Sequence, residues 1–484
     1  MLCAHTCQLH PVLPHLHVLL LALGSLICCI CSCSRPATEI RAPNMQINQA
    51  SQTSQTSQTT IELVGTWPQE TDLQNPDIVA TAALWLDMFR NAEQRIEIAA
   101  FYLATAPGSA MEPILAALEA AVARGVRVRL LIDAKFYLGQ PAVADRLAAA
   151  GIDVHSLDLS GLGGVMHAKY FVVDGRAAYI GSANFDWRSL AHIHELGVHL
   201  CEPALVAATE AIWNADWANS LPIAAIERNI ANPSESEEPT NPPSTNRAER
   251  AGAEETTPPP PALAPFAGIT PVSTDYAGST HRITVVASPR DRLPDPAIWD
   301  LPRLLGLIAG ARHNIQIQLL SFALVGYDGV RFEGIERALK AAAKRGVIVE
   351  LLVADWNKRP PALADLQALQ REPGIHVRMA TIPPARSGFI PYARVIHSKF
   401  LLVDGRFTWI GSSNFSGDYF FNSRNLGVIV EGTAFAADVG RVFAKVWNSA
   451  YAYDLDPEAQ YDPPQVAPEP PPSPAPQSAP KHGS

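Results

Sequence analysis

Two long stretches of the chain show the same order of apolar and polar positions. In the first, apolar residues recur every three or four positions over 114–125 (ILAALEAAVARG), which is typical of a helix, and the β-branched run VRVRLLI over 126–132 predicts a buried strand. The helical pattern AVADRLAAAG and the short strand pattern DVHSL follow. This alternation of helices and strands predicts an α/β fold.

A hairpin is predicted further along the same stretch. The apolar runs KYFVVD and AAYIGS are joined at Asp174-Gly175, a dipeptide favoured in tight turns between antiparallel strands. Because antiparallel strands here join parallel ones, we expect mixed β-sheets flanked by helices.

Each stretch also contains one copy of a motif. Residues 167–185 read HAKYFVVDGRAAYIGSANF and residues 397–415 read HSKFLLVDGRFTWIGSSNF, and the offset of 230 residues holds as far as Trp217 and Trp447. Upstream, ARGVRVRLLID corresponds to KRGVIVELLVAD. We interpret this as an internal duplication, and two copies predict a pseudo-twofold pair of domains.

Polar and proline-rich segments separate the two copies from the rest of the chain. INQASQTSQTSQTT at 47–60 is typical of a flexible tether, and the segment from about Asn229 to Pro265 has too much proline and charge to bury a core. The predicted organisation is a leader (1–33), a flexible tether (34–69), a first domain (70–226), a disordered linker (227–266), a second domain (267–458) and a disordered tail (459–484).

The leader predicts export. VLLLALGSLICCI at 18–30 has the length of a secretory apolar region, although no lysine or arginine precedes Arg35. ICSC at 30–33 resembles a bacterial lipoprotein cleavage box, with Cys33 or Cys31 as the acylated residue and a membrane contact through that lipid. We therefore expect a bacterial cell-envelope protein (lipoprotein or periplasmic) or a secreted one. An uncleaved anchor or a wrongly assigned start is the alternative.

Charge and cysteine content narrow the function classes. The formal net charge of -10 argues against a protein that holds long duplex nucleic acid by phosphate neutralisation alone, although much of the acidity lies outside the two predicted domains. Cys201 is the single cysteine beyond the first 33 residues, so no disulfide framework or zinc site is predicted. We expect no metal and no cofactor, and either a monomer or a homodimer.

The repeated motif, H-x-K-x4-D-x6-G-S-x-N, carries the candidate chemistry. In a strand, residues i and i+2 share a face, so the histidine and lysine of each copy should lie side by side. Phosphodiester cleavage needs a nucleophile, a proton for the departing oxygen, and cations or donors around the other oxygens. Two histidines, two lysines and two asparagines can supply these: His167, Lys169, Asn184, His397, Lys399 and Asn414.

Other motif residues are predicted to have structural roles. Asp174 and Asp404 precede glycine in the hairpin turn, where aspartate commonly accepts backbone hydrogen bonds. Ser182 and Ser412 either order the phosphate loop or simply form a turn.

The duplicated motifs resemble those of the phospholipase D superfamily, and both copies are intact. The flanking strings GSANFDWRSLAHIHELGV and IGSSNFSGDYF are similar to the animal lysosomal branch that degrades single-stranded nucleic acid from the 5′ end. The resemblance implies a metal-independent phosphodiesterase that acts through a covalent phosphohistidine, with one active site between the two halves. No carboxylate-rich metal cluster accompanies the motifs.

One position breaks the symmetry of the repeat. Glu195 in HELGV corresponds to Asn425 in RNLGV. The resemblance implies a carboxylate here against the motif histidine of the same half, where it would fix the tautomer and compensate the positive phosphoimidazole. We therefore predict Glu195 beside His167, with His167 as nucleophile and His397 as general acid. A purely structural role for Glu195 is the alternative.

Three functions remain open at this point. The leading one is a single-stranded nucleic acid exonuclease. A phospholipid hydrolase or transphosphatidylase, like phospholipase D or cardiolipin synthase, is the second, because the same histidine chemistry serves any phosphodiester. An inactive binding module is the third, although the loss of one motif would be its expected sign.

Overall fold

The computed structural model describes residues 60–226, here called the first half, and residues 258–467, the second half. The predicted leader, most of the predicted tether and most of the predicted linker lie outside the described residues.

The first half contains a nine-stranded sheet and a small two-stranded one. Its strands are β1 Ile61–Thr66, β2 Val79–Ala80, β3 Arg95–Ala100, β4 Leu103–Ala104, β5 Arg127–Asp133, β6 Asp153–Leu157, β7 Tyr170–Val173, β8 Ala177–Gly181, β9 Phe185–Asp186, β10 Glu195–Leu200 and β11 Leu221–Pro222. Its α-helices include α1 Thr81–Arg90, α2 Met111–Ala123, α3 Ala134–Gly139, α4 Ala142–Ala149 and α5 Pro203–Ala218, and Ser160–Leu162 forms a 3-10 turn.

The second half contains another nine-stranded sheet. Its strands are β12 Val272–Tyr276, β13 Ser279–Ser288, β14 Asn314–Leu319, β15 Ile348–Ala354, β16 Ile375–Ala380, β17 Lys399–Val403, β18 Phe407–Gly411, β19 Asn425–Glu431 and β20 Ala452–Asp454. Its helices include α6 Asp300–Gly310, α7 Gly334–Lys344, α8 Ala362–Gln370, α9 Gly417–Phe421 and α10 Thr433–Trp447, with 3-10 turns at Arg290–Arg292, Pro296–Ile298 and Asp355–Lys358.

The two large sheets have the same strand order. It is β11-β6-β5-β3-β7-β8-β10-β1-β2 in the first half and, read in the matching direction, β20-β16-β15-β14-β17-β18-β19-β13-β12 in the second. In each sheet three parallel strands meet a run of antiparallel ones, at β3–β7 and at β14–β17. The predicted mixed sheets and duplicated α/β architecture are confirmed.

Apolar side chains form three cores, and one of them is shared. Each half has a core of its own between its sheet and its outer helices. The central core contains residues of β7, β8 and β10 together with residues of β17, β18 and β19, and α5 and α10 contribute to it. Because the inner faces of both sheets share this core, the two halves pack as one body around the ends of the motif strands.

The aspartates of the two motifs fix the hairpins to neighbouring strands. Asp174 adopts a positive φ of 54°, and its carboxylate accepts the backbone N–H groups of Glu93, Gln94 and Arg95 at 2.7–2.9 Å. Asp404 is equivalent, with φ of 53° and three backbone donors at 312–314. These hydrogen bonds to the backbone are of the kind expected for an aspartate in a hairpin turn.

Several predicted domain boundaries are wrong. The strand Ile61–Thr66 lies in the segment predicted as tether, and it pairs with β10 along six residues. At the end of the predicted linker, the Arg303 guanidinium donates to the carbonyl oxygens of Ala264, Pro265 and Ala267. In the predicted tail, the Val466 carbonyl accepts the N–H of Tyr392. In the predicted linker and tail, proline-rich composition concealed these contacts because carbonyl groups of the backbone make them.

Across residues 60–226 and 258–467, no helix combines the length and the apolar character needed to cross a membrane.

Candidate active site

The segments that carry the two motif histidines are held by backbone pairing with the opposite half. The N–H of His167 donates to the Arg424 carbonyl at 2.9 Å, and the N–H of His397 donates to the His194 carbonyl at 2.9 Å. Both histidines lie just before a strand, β7 or β17, rather than inside it. The crossed pairing places each histidine next to the strand β19 or β10 of the other half.

The side-chain partners of the histidines are crossed in the same way. His397 Nδ1 lies 2.9 Å from both carboxylate oxygens of Glu195, and His167 Nδ1 lies 3.1 Å from Asn425 Oδ1. The prediction that Glu195 supports the histidine of its own half is therefore wrong. It failed because the repeat shows which positions correspond but not which half supplies the partner across the interface.

The tautomers of both histidines follow from these partners. Asn425 Nδ2 donates to the carbonyl oxygens of Tyr419 and Ser423, so its Oδ1 faces His167 and accepts from Nδ1–H. A carboxylate likewise only accepts, so His397 also has its proton on Nδ1. In each neutral ring Nε2 then carries the lone pair.

Ser182 and Ser412 position the two acceptors. The Ser182 hydroxyl donates to Glu195 Oε2 at 2.5 Å, and the Ser412 hydroxyl donates to Asn425 Oδ1 at 2.9 Å. Each hydroxyl also accepts the backbone N–H of Leu196 or Leu426. Ordering of the site, the first of the two roles considered for these serines, fits this geometry, but they contact the acceptors of the histidines.

The two lysines are buried, and neither has a carboxylate of the described residues within ion-pair distance. Lys169 and Lys399 expose 1% and 0% of their surface, and each Nζ donates to the carbonyl oxygen of the histidine two residues earlier. Burial and then the charge of Lys399 lower the pKa of Lys169 well below its ordinary value. Burial lowers the pKa of Lys399 to about 7, against the opposing effect of Glu195. An anion bound between the lysines would stabilise their charged forms and so oppose the lowering of both pKa values.

The asparagines of the motifs face tyrosines that the sequence did not single out. Asn184 Nδ2 donates to the Tyr102 hydroxyl at 3.3 Å, and Asn414 Nδ2 donates to the Tyr419 hydroxyl at 3.0 Å. A carboxamide has two N–H groups, so each asparagine keeps a second donor. Tyr102 follows the carboxyl end of β3, the sheet edge at which the motifs meet, and that position was the available signal.

Both histidines are neutral in the free site. Burial and then the charges of Lys169 and Lys399 lower the pKa of His167 well below its ordinary value. Burial also lowers the pKa of His397 to about 4, although Glu195 opposes the shift. For Glu195, burial alone would raise the pKa, but His397, Lys399 and the Ser182 hydroxyl bring it below its ordinary value. Glu195 is thus ionised beside a neutral His397.

The described residues, 60–226 with 258–467, contain no group of three or more histidine, cysteine, aspartate or glutamate side chains placed to hold a metal ion. The chemical groups gathered at the site are instead two imidazoles, two ammonium groups and two carboxamides.

Comparison with known proteins agrees with this arrangement. The family described as "Cardiolipin synthase, PLD-like domain" matches residues 85–217 and 304–447. The chain is 29% identical over 437 residues to phospholipase D Y of Dictyostelium discoideum, covering 85% of this chain and 95% of that protein. It is 28% identical over 418 residues to the mouse 5'-3' exonuclease PLD4, covering 79% and 76%. The bovine 5'-3' exonuclease PLD3 is 29% identical over 429 residues, covering 82% and 81%.

A solved structure shares the fold. The phosphatidylserine synthase of Haemophilus influenzae superposes with a TM-score of 0.51 at 13% identity, covering 77% of this chain and 85% of that one.

Proposed function

The chain belongs to the phospholipase D superfamily as a phosphodiesterase, and we propose that it hydrolyses single-stranded nucleic acid from the 5′ end through a phosphohistidine, without a metal ion. The relatives named as 5'-3' exonucleases, which align over most of the described chain, support this choice of substrate.

The observation that carries the proposal is the crossed pair of histidines. Each ring is fixed at Nδ1 by a residue of the opposite half, which leaves Nε2 as the reactive nitrogen. Two buried lysines without carboxylate partners supply the positive charge that a phosphodiester monoanion needs. One phosphodiester bound at this site would face both reactive nitrogens, Nε2 of His167 and Nε2 of His397.

We assign the nucleophile to His397, which reverses the expectation drawn from the sequence. Attack on phosphorus leaves a positive phosphoimidazole, and the Glu195 carboxylate at 2.9 Å compensates that charge. Asn425 orients His167 but carries no charge, so His167 is the weaker candidate for a covalent adduct and serves as general acid.

The reaction then takes two steps. His397 Nε2 forms a bond to phosphorus while the bond to the leaving oxygen breaks, and that oxygen takes the proton from His167 Nε2. Water next attacks phosphorus, giving its proton to His167 as the bond from His397 to phosphorus breaks. Substrate binding helps to load the acid, because the phosphate charge offsets the lysine charges that lower the pKa of His167.

The test uses purified protein with 3′-labelled single-stranded DNA, the matching duplex and phosphatidylcholine vesicles. We expect stepwise shortening of the single strand, a resistant duplex and little effect of EDTA. His397→Ala is the matched inactive control. Loss of activity with chelator, restored by a divalent ion, would refute the metal-independent mechanism.

Phospholipid hydrolysis is the second candidate, because one relative is named phospholipase D Y. Rapid cleavage of the vesicles with no shortening of DNA would put this function first.

Export and lipid attachment at Cys33 or Cys31 stay predictions, since those residues lie outside the described chain. Metabolic labelling with palmitate, with Cys33→Ser and Cys31→Ser compared, tests them directly.

A further inference from the structure

We propose that three aromatic side chains beside His167 bind a nucleobase on the leaving-group side of the scissile phosphate. Phe101, Tyr102 and Phe136 form this aromatic shelf, and the inference rests on the proposed nuclease function. Stacking on aromatic rings is how proteins bind single strands with little regard to sequence, because every base has a π-face.

The three rings form one continuous surface. The Phe101 ring centroid lies 4.0 Å from that of Phe136 and 5.5 Å from that of Tyr102, and the Tyr102 and Phe136 rings are stacked at 6.0 Å. All three side chains are half-buried, and none belongs to the hydrophobic cores of the described residues. Core packing therefore does not account for them.

The shelf adjoins the catalytic groups. Phe101 makes an edge contact with the His167 ring at 4.8 Å, and the Lys169 ammonium lies 4.7 Å from the Phe101 centroid. The Tyr102 hydroxyl accepts from Asn184 and donates to Asp186 at 2.8 Å. A phosphate held by Lys169 and Asn184 would thus have its neighbouring base within reach of the rings.

Asp133 fixes the shelf relative to His167. One of its carboxylate oxygens accepts the N–H of Phe136 at 3.0 Å, at the start of α3. The other accepts the N–H of Met166, the residue before His167, at 2.7 Å. A single buried carboxylate therefore connects the aromatic surface to the backbone of the general acid.

In the described part of the second half, no set of three contacting rings lies beside His397. Ile96 pairs with Val173 as Ile315 pairs with Val403, and this register makes Leu320 the equivalent of Phe101. Within the described residues, no aromatic ring contacts the His397 ring, whereas Phe101 and Tyr419 both contact His167. The fold does not require aromatic residues at this edge, so their presence on one side points to a ligand.

The side of the phosphate follows from the role of His167. The general acid protonates the leaving oxygen, so the nucleotide that keeps this oxygen lies on the His167 side, where the shelf is. The product end that carries the phosphate identifies this nucleotide, because the other nucleotide stays on the phosphorus that is bonded to His397.

The test compares single-turnover cleavage of three 5′-end substrates by the full chain. One is unmodified DNA, one has an abasic residue on the leaving-group side of the first scissile phosphate, and one has it on the side that stays bonded to phosphorus. We expect the wild type to cleave the substrate that is abasic on the leaving-group side about 10- to 100-fold more slowly, the size of effect seen when one stacked base is lost.

The variant Phe101→Leu with Phe136→Leu should slow cleavage of unmodified DNA by a similar factor and lose the discrimination. Phe101→Trp should keep it. Leu320→Val is the matched control in the other half and should discriminate as the wild type does, and thermal melting confirms that each variant is folded.

Unchanged discrimination in the double leucine variant, or slowing only by the abasic residue on the side that stays bonded to phosphorus, would overturn the proposed base contact while leaving the nuclease function intact. A wild type that cleaves no DNA overturns both proposals.

Discussion

The two halves of the active site have the same backbone arrangement but differ in the charge beside the histidine. Beside His397, Glu195 is ionised, fully buried and held by Ser182, whereas beside His167 the equivalent acceptor is the neutral Asn425, held by Ser412. The hydrogen-bond geometry is nearly the same in both places. Charge, more than position, therefore distinguishes the two histidines, and a duplicated site can assign different chemical roles by changing one side chain.

The surroundings of the two histidines differ as well. Aromatic rings contact His167 at 4.8 and 5.0 Å. On the other side, His194 precedes Glu195, and its ring contacts Trp67 and the Ser398 hydroxyl without reaching the His397 ring in the described contacts. The charged side suits a covalent intermediate and the aromatic side suits a departing nucleoside, which agrees with the assignment of nucleophile and acid.

The largest expected effect separates the two histidines. His397→Ala and His167→Ala should each reduce turnover of DNA by about 10⁴-fold or more, because nucleophile and acid act as a unit. A p-nitrophenyl phosphodiester has a leaving group that needs no proton, so His167→Ala should recover most of the first-turnover burst of p-nitrophenol, in which His167 acts as acid, and His397→Ala should not. Quenched-flow trapping with peptide mapping should find the phosphoryl adduct on His397. An adduct on His167 would reverse the assignment.

The next effect compares the acceptors. Glu195→Gln should slow adduct formation by about 100-fold or more, because it removes the charge that compensates the phosphoimidazole. Asn425→Ala should slow it by about tenfold, since it removes orientation only. Rapid-quench measurement of the first turnover gives both values. Equal losses would show that charge compensation is not what separates the two sides.

A charge placed beside the general acid, His167, should shift the pH dependence of kcat/KM. In kcat/KM, the acid limb should lie at about pH 4, where His397 becomes protonated and loses its lone pair, and the alkaline limb below about 6.5, where His167 loses its proton. Asn425→Asp places an anion beside His167 and raises its pKa, so the alkaline limb should shift upward by about one unit. A shift of the acid limb instead would identify His167 as the base.

The smallest expected effect concerns a feature that the halves share. Asp174→Asn and Asp404→Asn should each lower the free energy of unfolding by about 1 kcal/mol, because each weakens three charge-assisted backbone bonds. The folded-state pKa of both aspartates is lowered. Their stabilisation is therefore complete above the unfolded value of about 3.9 and is lost as pH falls through the folded value. Urea titrations at pH 7 and pH 2.5 measure it, and unequal losses would contradict the equivalence.

Much of this architecture could be predicted because it depends on local pattern. Strand and helix periodicity give the α/β order, and the constant offset of 230 residues identifies equivalent side chains such as Lys169 and Lys399. The hairpin role of Asp174 also follows locally, from a turn dipeptide. The strand Ile61–Thr66 was missed because six residues beside a polar repeat give little periodicity, and their place in the sheet depends on β10, more than 120 residues away in sequence.

The sequence by itself determined which groups are available to the proposed reaction: two histidines, two lysines, two asparagines and one carboxylate without a counterpart in the other half. Tertiary structure alone decided which histidine receives that carboxylate. The strands that carry Glu195 and Asn425 bond to the opposite half just before its histidine, through His194 and Arg424, so their side chains reach across the interface. Equivalence in a repeat is a property of the chain, but contact between repeats is a property of packing, and here packing exchanged the partners.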